Sequence, residues 1–338
     1  MRKPISGVIT ALITPFKENG KIDWDGLEKL IEFQVESGVD GILYTGTTGE
    51  SPTLSWQEHF EVMKLATSQT RGRCLCLVGA GSNNTAEALK ASEEAVNLGA
   101  DALLLVDPYY NGPSSLEISQ EYITPIARQF PQTSIIPYIV PGRTGCALDS
   151  YDLKELWENY PNTNTVKDAT GDLEHMRRIR ALCGPNFSIL SGDDDLTLKA
   201  VKDAHIKANG VISVMSNIFP REIKQMVSQK KEPESALGKI LGMVTVNTEE
   251  ETRYGTFRKN KCRNPVPVKT MMNILDMPSG PLRRPLGKPT PKAYNLILKA
   301  LTELRDKYPE AFAPLEKFFR LKTEEKIKNA PGRADLRY

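Results

Sequence analysis

The stretch "TVKDATGDLEHMRRIRALCGPNFSIL", Thr165 to Leu190, decides how the fold is read. An extended run over 163–167 ends in the turn chemistry of Asp168, Thr170, Gly171 and Asp172. A helical pattern, "DLEHMRRIRALC", starts at Asp172, and a second extended run follows at 187–191. Strand, helix and strand in that order predict a parallel pair joined by a crossover helix.

Outward from this unit the same alternation recurs. Short β-branched or aliphatic runs stand at 7–14, 41–45, 73–79, 102–106, 134–140, 163–167, 187–191 and 208–214. Helix-length segments with a 3.6-residue apolar rhythm lie between them, such as "WDGLEKLIEFQVESG" with Leu27, Leu30, Ile31 and Phe33, closed by Gly38. Eight repeats of strand and helix predict a (β/α)8 barrel, an α/β fold of the TIM type. The strands are near-continuous apolar runs, as burial on both faces demands. An open doubly wound sheet fits less well, because no Gly-x-Gly-x-x-Gly follows the first strand. The sequence divides into a barrel core at 1–218, C-terminal helices at 219–314 and a charged tail at 315–338. Within the middle part, 219–230, 235–255, 265–276 and 290–307 read as helices, and the tail reads as a fraying or surface-extending helix.

Composition narrows the class of function. The 338 residues carry 40% hydrophobic and 25% charged side chains, ordinary values for a globular protein. A net charge of +2 gives no footprint for nucleic acid, and no apolar run approaches the roughly 20 residues of a membrane span. The N-terminal "MRKPISGVITALITPF" reads as a first strand rather than a signal peptide, since Ser6, Gly7 and Thr10 break its apolar part. A cytoplasmic location is the default expectation. Five cysteines without metal-ligand spacing predict buried thiols, and nothing in the chain calls for a metal or organic cofactor.

In such a barrel, chemistry belongs at the C-terminal ends of the strands. The second strand ends in "YTGTTGES", where Gly46 and Gly49 allow close approach of backbone to a ligand and Thr47 and Thr48 suit a carboxylate. The fourth ends in "DPYYNGPS" with Tyr109 and Tyr110, the fifth in "PYIVPGRTG" with Tyr138 and Arg143, and the sixth supplies Lys167. A lysine closing a strand is ordinarily a charge paired with a neighbouring carboxylate. A desolvated amine at a barrel mouth, however, suits a Schiff base with a carbonyl substrate, with hydroxyls nearby to move protons.

With these residues in view, the chain resembles the dihydrodipicolinate synthase family, pyruvate-dependent class I aldolases that include N-acetylneuraminate lyase. The resemblance runs from about residue 5 to 300 and rests on "GTTGES", "PYYNGPS", "YIVPGRTG", "VKDATGD", "SGDD", "GVISV" and "NPVPVK". It implies a lyase that condenses pyruvate with L-aspartate 4-semialdehyde to give 4-hydroxy-tetrahydrodipicolinate, the first committed step of diaminopimelate and lysine biosynthesis. It implies further that Lys167 forms the imine, that Tyr138 and Thr47 relay protons with Tyr110 of a neighbouring subunit, and that Thr48 binds the pyruvate carboxylate. Arg143 would hold the carboxylate of the semialdehyde, and Gly192 and Ile212 would line the pyruvate pocket. A tyrosine donated across subunits requires a homo-oligomer, a dimer or tetramer.

Lysine-inhibited members carry an inhibitor cleft between subunits. The matching positions are Ser51, Trp56, His59, Asn83, Glu87 and Tyr109, with ordinary surface and turn roles as the alternative. Ile139 stands where the family usually has asparagine, and alternation along the strand directs it away from Tyr138. The segment "KDAHIKANG" and the tail are longer than the family pattern. Two rival readings are another pyruvate aldolase of this fold and a catalytically inactive paralogue acting as a binding protein. The "GRTG" arginine argues against the first, and the complete set of site residues against the second.

Overall fold

The computed structural model describes residues 3–338. All eight expected strands form: β1 (Gly7–Ala11), β2 (Gly41–Tyr44), β3 (Leu75–Gly79), β4 (Ala102–Val106), β5 (Ser134–Ile139), β6 (Thr165–Asp168), β7 (Ser188–Ser191) and β8 (Gly210–Ser213). They pair in sequence order and in parallel, and β1 closes the barrel on β8 with Ile9 opposite Ile212. Closure leaves no room for a side chain at Gly210, where a Cβ would stand 1.9 Å from the Gly7 carbonyl oxygen.

Strand alternation sorts the residues into two apolar layers. Ile9, Leu43, Leu77, Leu104, Ile136, Tyr138, Leu190 and Ile212 fill the barrel, while Val8, Ile42, Val78, Leu103, Ile139, Val166 and Ile189 face the surrounding helices. Ile139 therefore packs in the outer layer, on the face away from Tyr138. Neighbouring strands share register at Tyr138 and Lys167, which places both side chains on the inner face at one level.

Helices follow the strands with local start signals. Trp56–Thr70 opens with a reciprocal capping box between Ser55 and Glu58, and Thr85–Leu98 is capped by the Asn84 side chain on the Ala86 amide. Among the described residues, no helix is long and apolar enough to cross a membrane. The five cysteines are free thiols; Cys76 and Cys183 are buried and Cys74, Cys146 and Cys262 half-buried.

Beyond the barrel the structure corrects two expectations. The segment 235–255 is not one helix: Ser235–Leu241 is helical, but β9 (Thr245–Glu251) and β10 (Phe257–Arg263) form an antiparallel hairpin. Val246 and Thr248 are buried while Asn247 and Glu249 are exposed, so the period is two and not 3.6. The tail does not fray. It forms helices Ala313–Phe319 and Thr323–Asn329, and the Phe318 and Phe319 rings pack 5.4 and 5.1 Å from Phe33. Its first helix crosses the expected boundary at 314, and Ile327 and Ala330 are buried beyond it.

Candidate active site

Lys167 reaches the barrel interior because β6 alternates: Val166 and Asp168 face outward and Lys167 inward. It is 5% exposed, and its Nζ lies 4.0 Å from the centroid of the Tyr138 ring. No acceptor or carboxylate lies within hydrogen-bond distance of that amine among the described residues. The carboxyl of Asp193 in "SGDD" is raised to about 6 chiefly by burial and by Asp195, with Lys167 acting in the opposite direction. On the outer face, Asp168 is fully buried and fixed by three bonds: it accepts from Thr170 N at 2.9 Å and Thr170 Oγ1 at 2.7 Å, and Oδ2 meets His175 Nδ1 at 2.7 Å. The strand end that carries the lysine is thereby held rigid.

Beside this pair opens a cavity of about 240 Å³ lined by Thr47, Tyr138, Arg143, Ser51 and Tyr109, among others. The turn supplying Thr47 is bent at both ends, since Thr45 and Glu50 have φ of +51° and +57°. Left-handed backbone at non-glycine residues costs about 1 kcal/mol each and persists only where the surroundings enforce it. Thr45 Oγ1 donates to the carbonyls of Tyr44 and Gly79, and a Cβ at Gly79 would meet the Thr45 carbonyl oxygen at 2.4 Å. At the other end the Glu50 carboxylate is buried against Lys269 Nζ at 2.7 Å and the Arg283 amide at 2.9 Å, while Thr14 Oγ1 donates to the Gly49 carbonyl. Both ends of the Thr47–Thr48 turn are thus tied to the frame.

Thr48 is buried and accepts a hydrogen bond from Asn264 Nδ2 at 3.1 Å. That bond occupies a lone pair of the hydroxyl and leaves its proton free to donate, as carboxylate binding requires. Asn264 Oδ1 is itself buried without a partner. Arg143 sits in the short helical turn Pro141–Thr144 after β5, and its Nη2 donates to the Asn264 carbonyl at 2.9 Å. Crowding by the pocket wall lowers its pKa, Tyr138 opposes the change and Arg263 adds to it, although the residue as a whole is exposed at the rim. Gly192 and Ile212 do not line this cavity. A Cβ at Gly192 would meet Ala169 Cβ at 2.5 Å, and Ile212 is fully buried inside the barrel.

Tyr110 is not part of this cavity in its own chain. Its ring is 91% exposed and its φ is +80°, so it projects outward. The residues expected at the inhibitor cleft fall into two groups that meet the same cavity. His59 Nε2 lies 3.1 Å from the Ser51 carbonyl oxygen, with the Trp56 ring 5.0 Å from His59. Tyr109 has its pKa raised by burial and by the Glu87 charge and accepts from the Asn83 amide, while Glu87 accepts from Ser82 Oγ at 2.7 Å. Ser51 and Tyr109, one from each group, both line the cavity wall.

Three residues of consequence went without a role in the sequence reading: Glu50, Asn264 and Lys269. The signal was present, since Lys269 interrupts the apolar run "VPVKTMM" and Asn264 opens the motif "NPVPVK".

The dihydrodipicolinate synthetase family profile matches residues 4–304. The 4-hydroxy-tetrahydrodipicolinate synthase of Methanococcus aeolicus is 42% identical over 288 residues, covering 84% of this chain and 93% of that protein. That of Methanocaldococcus jannaschii is 37% identical, covering 88% and 98%. Among solved structures, dihydrodipicolinate synthase from Aquifex aeolicus superposes with a TM-score of 0.79 at 34% identity, covering 89% of this chain and 98% of that one. A lysine-bound structure of the protein from Cyanidioschyzon merolae gives a TM-score of 0.78, also at 34% identity and with the same coverage.

Proposed function

The chain belongs to the dihydrodipicolinate synthetase family, and from that premise we propose that Lys167 is the amine through which it condenses pyruvate with L-aspartate 4-semialdehyde. The observation that carries the assignment is a buried, unpaired lysine amine against the Tyr138 ring, at the edge of a cavity lined by hydroxyls and an arginine. The activity is that of a lyase of the class I aldolase type, in the branch leading to diaminopimelate and lysine.

The free amine of Lys167 adds to the keto carbon of pyruvate, and loss of water leaves the imine. Tyr138 and Thr47 carry the protons in and out of the carbinolamine, and Thr48 holds the pyruvate carboxylate with the hydroxyl proton that Asn264 leaves free. Gly192 and Ile212 line the pyruvate pocket. Loss of a methyl proton gives the enamine, whose carbon attacks the aldehyde while Arg143 holds the aldehyde's carboxylate. The amine of the second substrate then displaces Lys167 as the ring closes, and 4-hydroxy-tetrahydrodipicolinate leaves.

Tyr110 completes the proton relay in a neighbouring subunit, so the working form is a homodimer or homotetramer, located in the cytoplasm. In support, the Tyr110 ring stands outside its own chain's cavity and is almost wholly exposed. L-Lysine acts as an inhibitor at Ser51, Trp56, His59, Asn83, Glu87 and Tyr109. That reading is supported by the lysine-bound Cyanidioschyzon neighbour and by the way both residue groups converge on one cavity wall.

Borohydride reduction in the presence of pyruvate, followed by peptide mass mapping, tests the central claim. The expected result is a single reduced adduct on Lys167; an adduct elsewhere, or none in folded protein, refutes the assignment. Titration calorimetry with L-lysine at millimolar concentration is expected to show heat of binding that Glu87→Ala abolishes. No heat in the parent protein removes the inhibitor site.

A further inference from the structure

The β9–β10 hairpin returns to the barrel at the rim of the cavity, and the residues at its end clasp the turn that carries Arg143. Arg263 Nη1 donates to the Gly142 carbonyl at 2.9 Å, while Arg143 Nη2 donates to the Asn264 carbonyl at 2.9 Å. These crossed bonds bring two guanidinium groups to one short stretch of the rim. Among the described residues neither forms an ion pair, whereas Arg283 has Glu58, Arg177 has Asp203 and Arg73 has Glu32. Two like charges held side by side oppose each other unless an anion joins them. After the crossed bonds, Arg263 retains Nη2 and Nε and Arg143 retains Nη1 and Nε, enough donors for a carboxylate gripped from both sides.

We propose that Arg263 is a specificity-determining residue for the second substrate, forming with Arg143 a two-arginine clamp on the carboxylate of the aldehyde. The clamp rests on the assignment of Arg143 to that carboxylate made above. It deepens that assignment by selecting small aldehydes that carry an anionic group and by giving the hairpin a role in the site. Pyruvate, held deeper by Thr48 and Lys167, lies outside its reach.

Steady-state kinetics of Arg263→Gln and Arg263→Lys, with each substrate varied in turn, test the clamp. R263Q is expected to raise KM for aspartate semialdehyde about tenfold, the scale of one charge-assisted bond at a partly open rim. Its KM for pyruvate and its borohydride adduct on Lys167 should match the parent. R263K keeps the charge and is expected to recover most of the loss. An unchanged KM for the semialdehyde in R263Q overturns the proposal. So does a rise in both KM values that R263K fails to rescue, since the residue would then act only by holding the Gly142 turn. Should R263Q not fold, the intact protein serves: added chloride is expected to raise KM for the semialdehyde and not for pyruvate, and equal effects on both overturn the clamp. Failure of the underlying function is separately visible, because the parent protein would then neither trap pyruvate nor turn over the semialdehyde.

Discussion

Two lysines are buried near the barrel mouth, Lys167 at the end of β6 and Lys269 within the helix Val266–Ile274, and they differ in every respect that matters for reactivity. Lys269 is fully buried, and its three ammonium protons go to three acceptors: Glu50 Oε1 at 2.7 Å, the Pro281 carbonyl at 2.9 Å and the Thr14 carbonyl at 3.1 Å. Lys167 is 5% exposed and has none of these. Burial lowers the Lys269 pKa to about 8 against the pull of Glu50, so titration behaviour alone would nominate it as the nucleophile. Geometry rejects it. An amine whose protons are all engaged, with the Phe16 ring 4.5 Å from its nitrogen, has no approach for a carbonyl carbon. The unengaged lysine is the one placed to react, and the engaged one holds the turn that serves it.

The strongest test separates the two roles. Lys167→Ala is expected to fold, because the amine makes no hydrogen bond whose loss would strand a buried partner, and to lose turnover by a factor on the order of 10³ or more. Denaturant melts and assays on one preparation check both halves; full activity would end the assignment. Lys269→Ala is expected to do the reverse. Leaving Glu50 buried and unpaired costs about 3–5 kcal/mol of folding stability, measured as a lower urea midpoint. Yet wherever the variant is folded, it should still trap pyruvate on Lys167. The double variant Glu50→Gln with Lys269→Met is expected to recover only part of that loss, because the Thr14 and Pro281 carbonyls remain without a donor.

The same contrast explains what the sequence disclosed. Lys167 was legible because the turn after a parallel strand announces itself through Asp, Thr and Gly, and because the barrel rule gives strand ends chemical weight. The eight strands were legible as unbroken apolar runs. Lys269 stands out locally as a charge in an apolar run, but its role was not legible, since its partner Glu50 lies 219 residues away and no local pattern encodes a contact of that range. The hairpin was misread because "LGKILGMVTV" continues a helical apolar rhythm into residues that belong to a strand. The helix runs on through a 3-10 turn at Gly242–Val244 before the strand begins, and the hairpin turn lies at Thr252–Thr256, where Gly255 has φ of +70°. The tail was misread because its apolar residues are few; Phe318 and Phe319 order it only by meeting Phe33, which lies on the helix after β1.

The outermost ring of the Lys269 cluster gives the smallest expected effect. Arg283, whose amide binds Glu50, turns its guanidinium to Glu58 at 2.6 Å, and that bond lowers the Glu58 pKa from 4.5 to about 2. A carboxylate depressed in the folded state binds fewer protons there than in the unfolded chain, so its contribution is complete above pH 4.5 and drains away as the pH falls toward 2. Glu58→Gln is expected to cost no more than about 1 kcal/mol at neutral pH, as suits a partly exposed pair. It should also flatten the loss of stability across the acid range. Urea midpoints of parent and variant, compared between neutral pH and the acid limb, would show the two curves converging as the solution is acidified. Parallel curves would mean that Glu58 does not feel Arg283 in solution, and that the Lys269 cluster ends at Glu50.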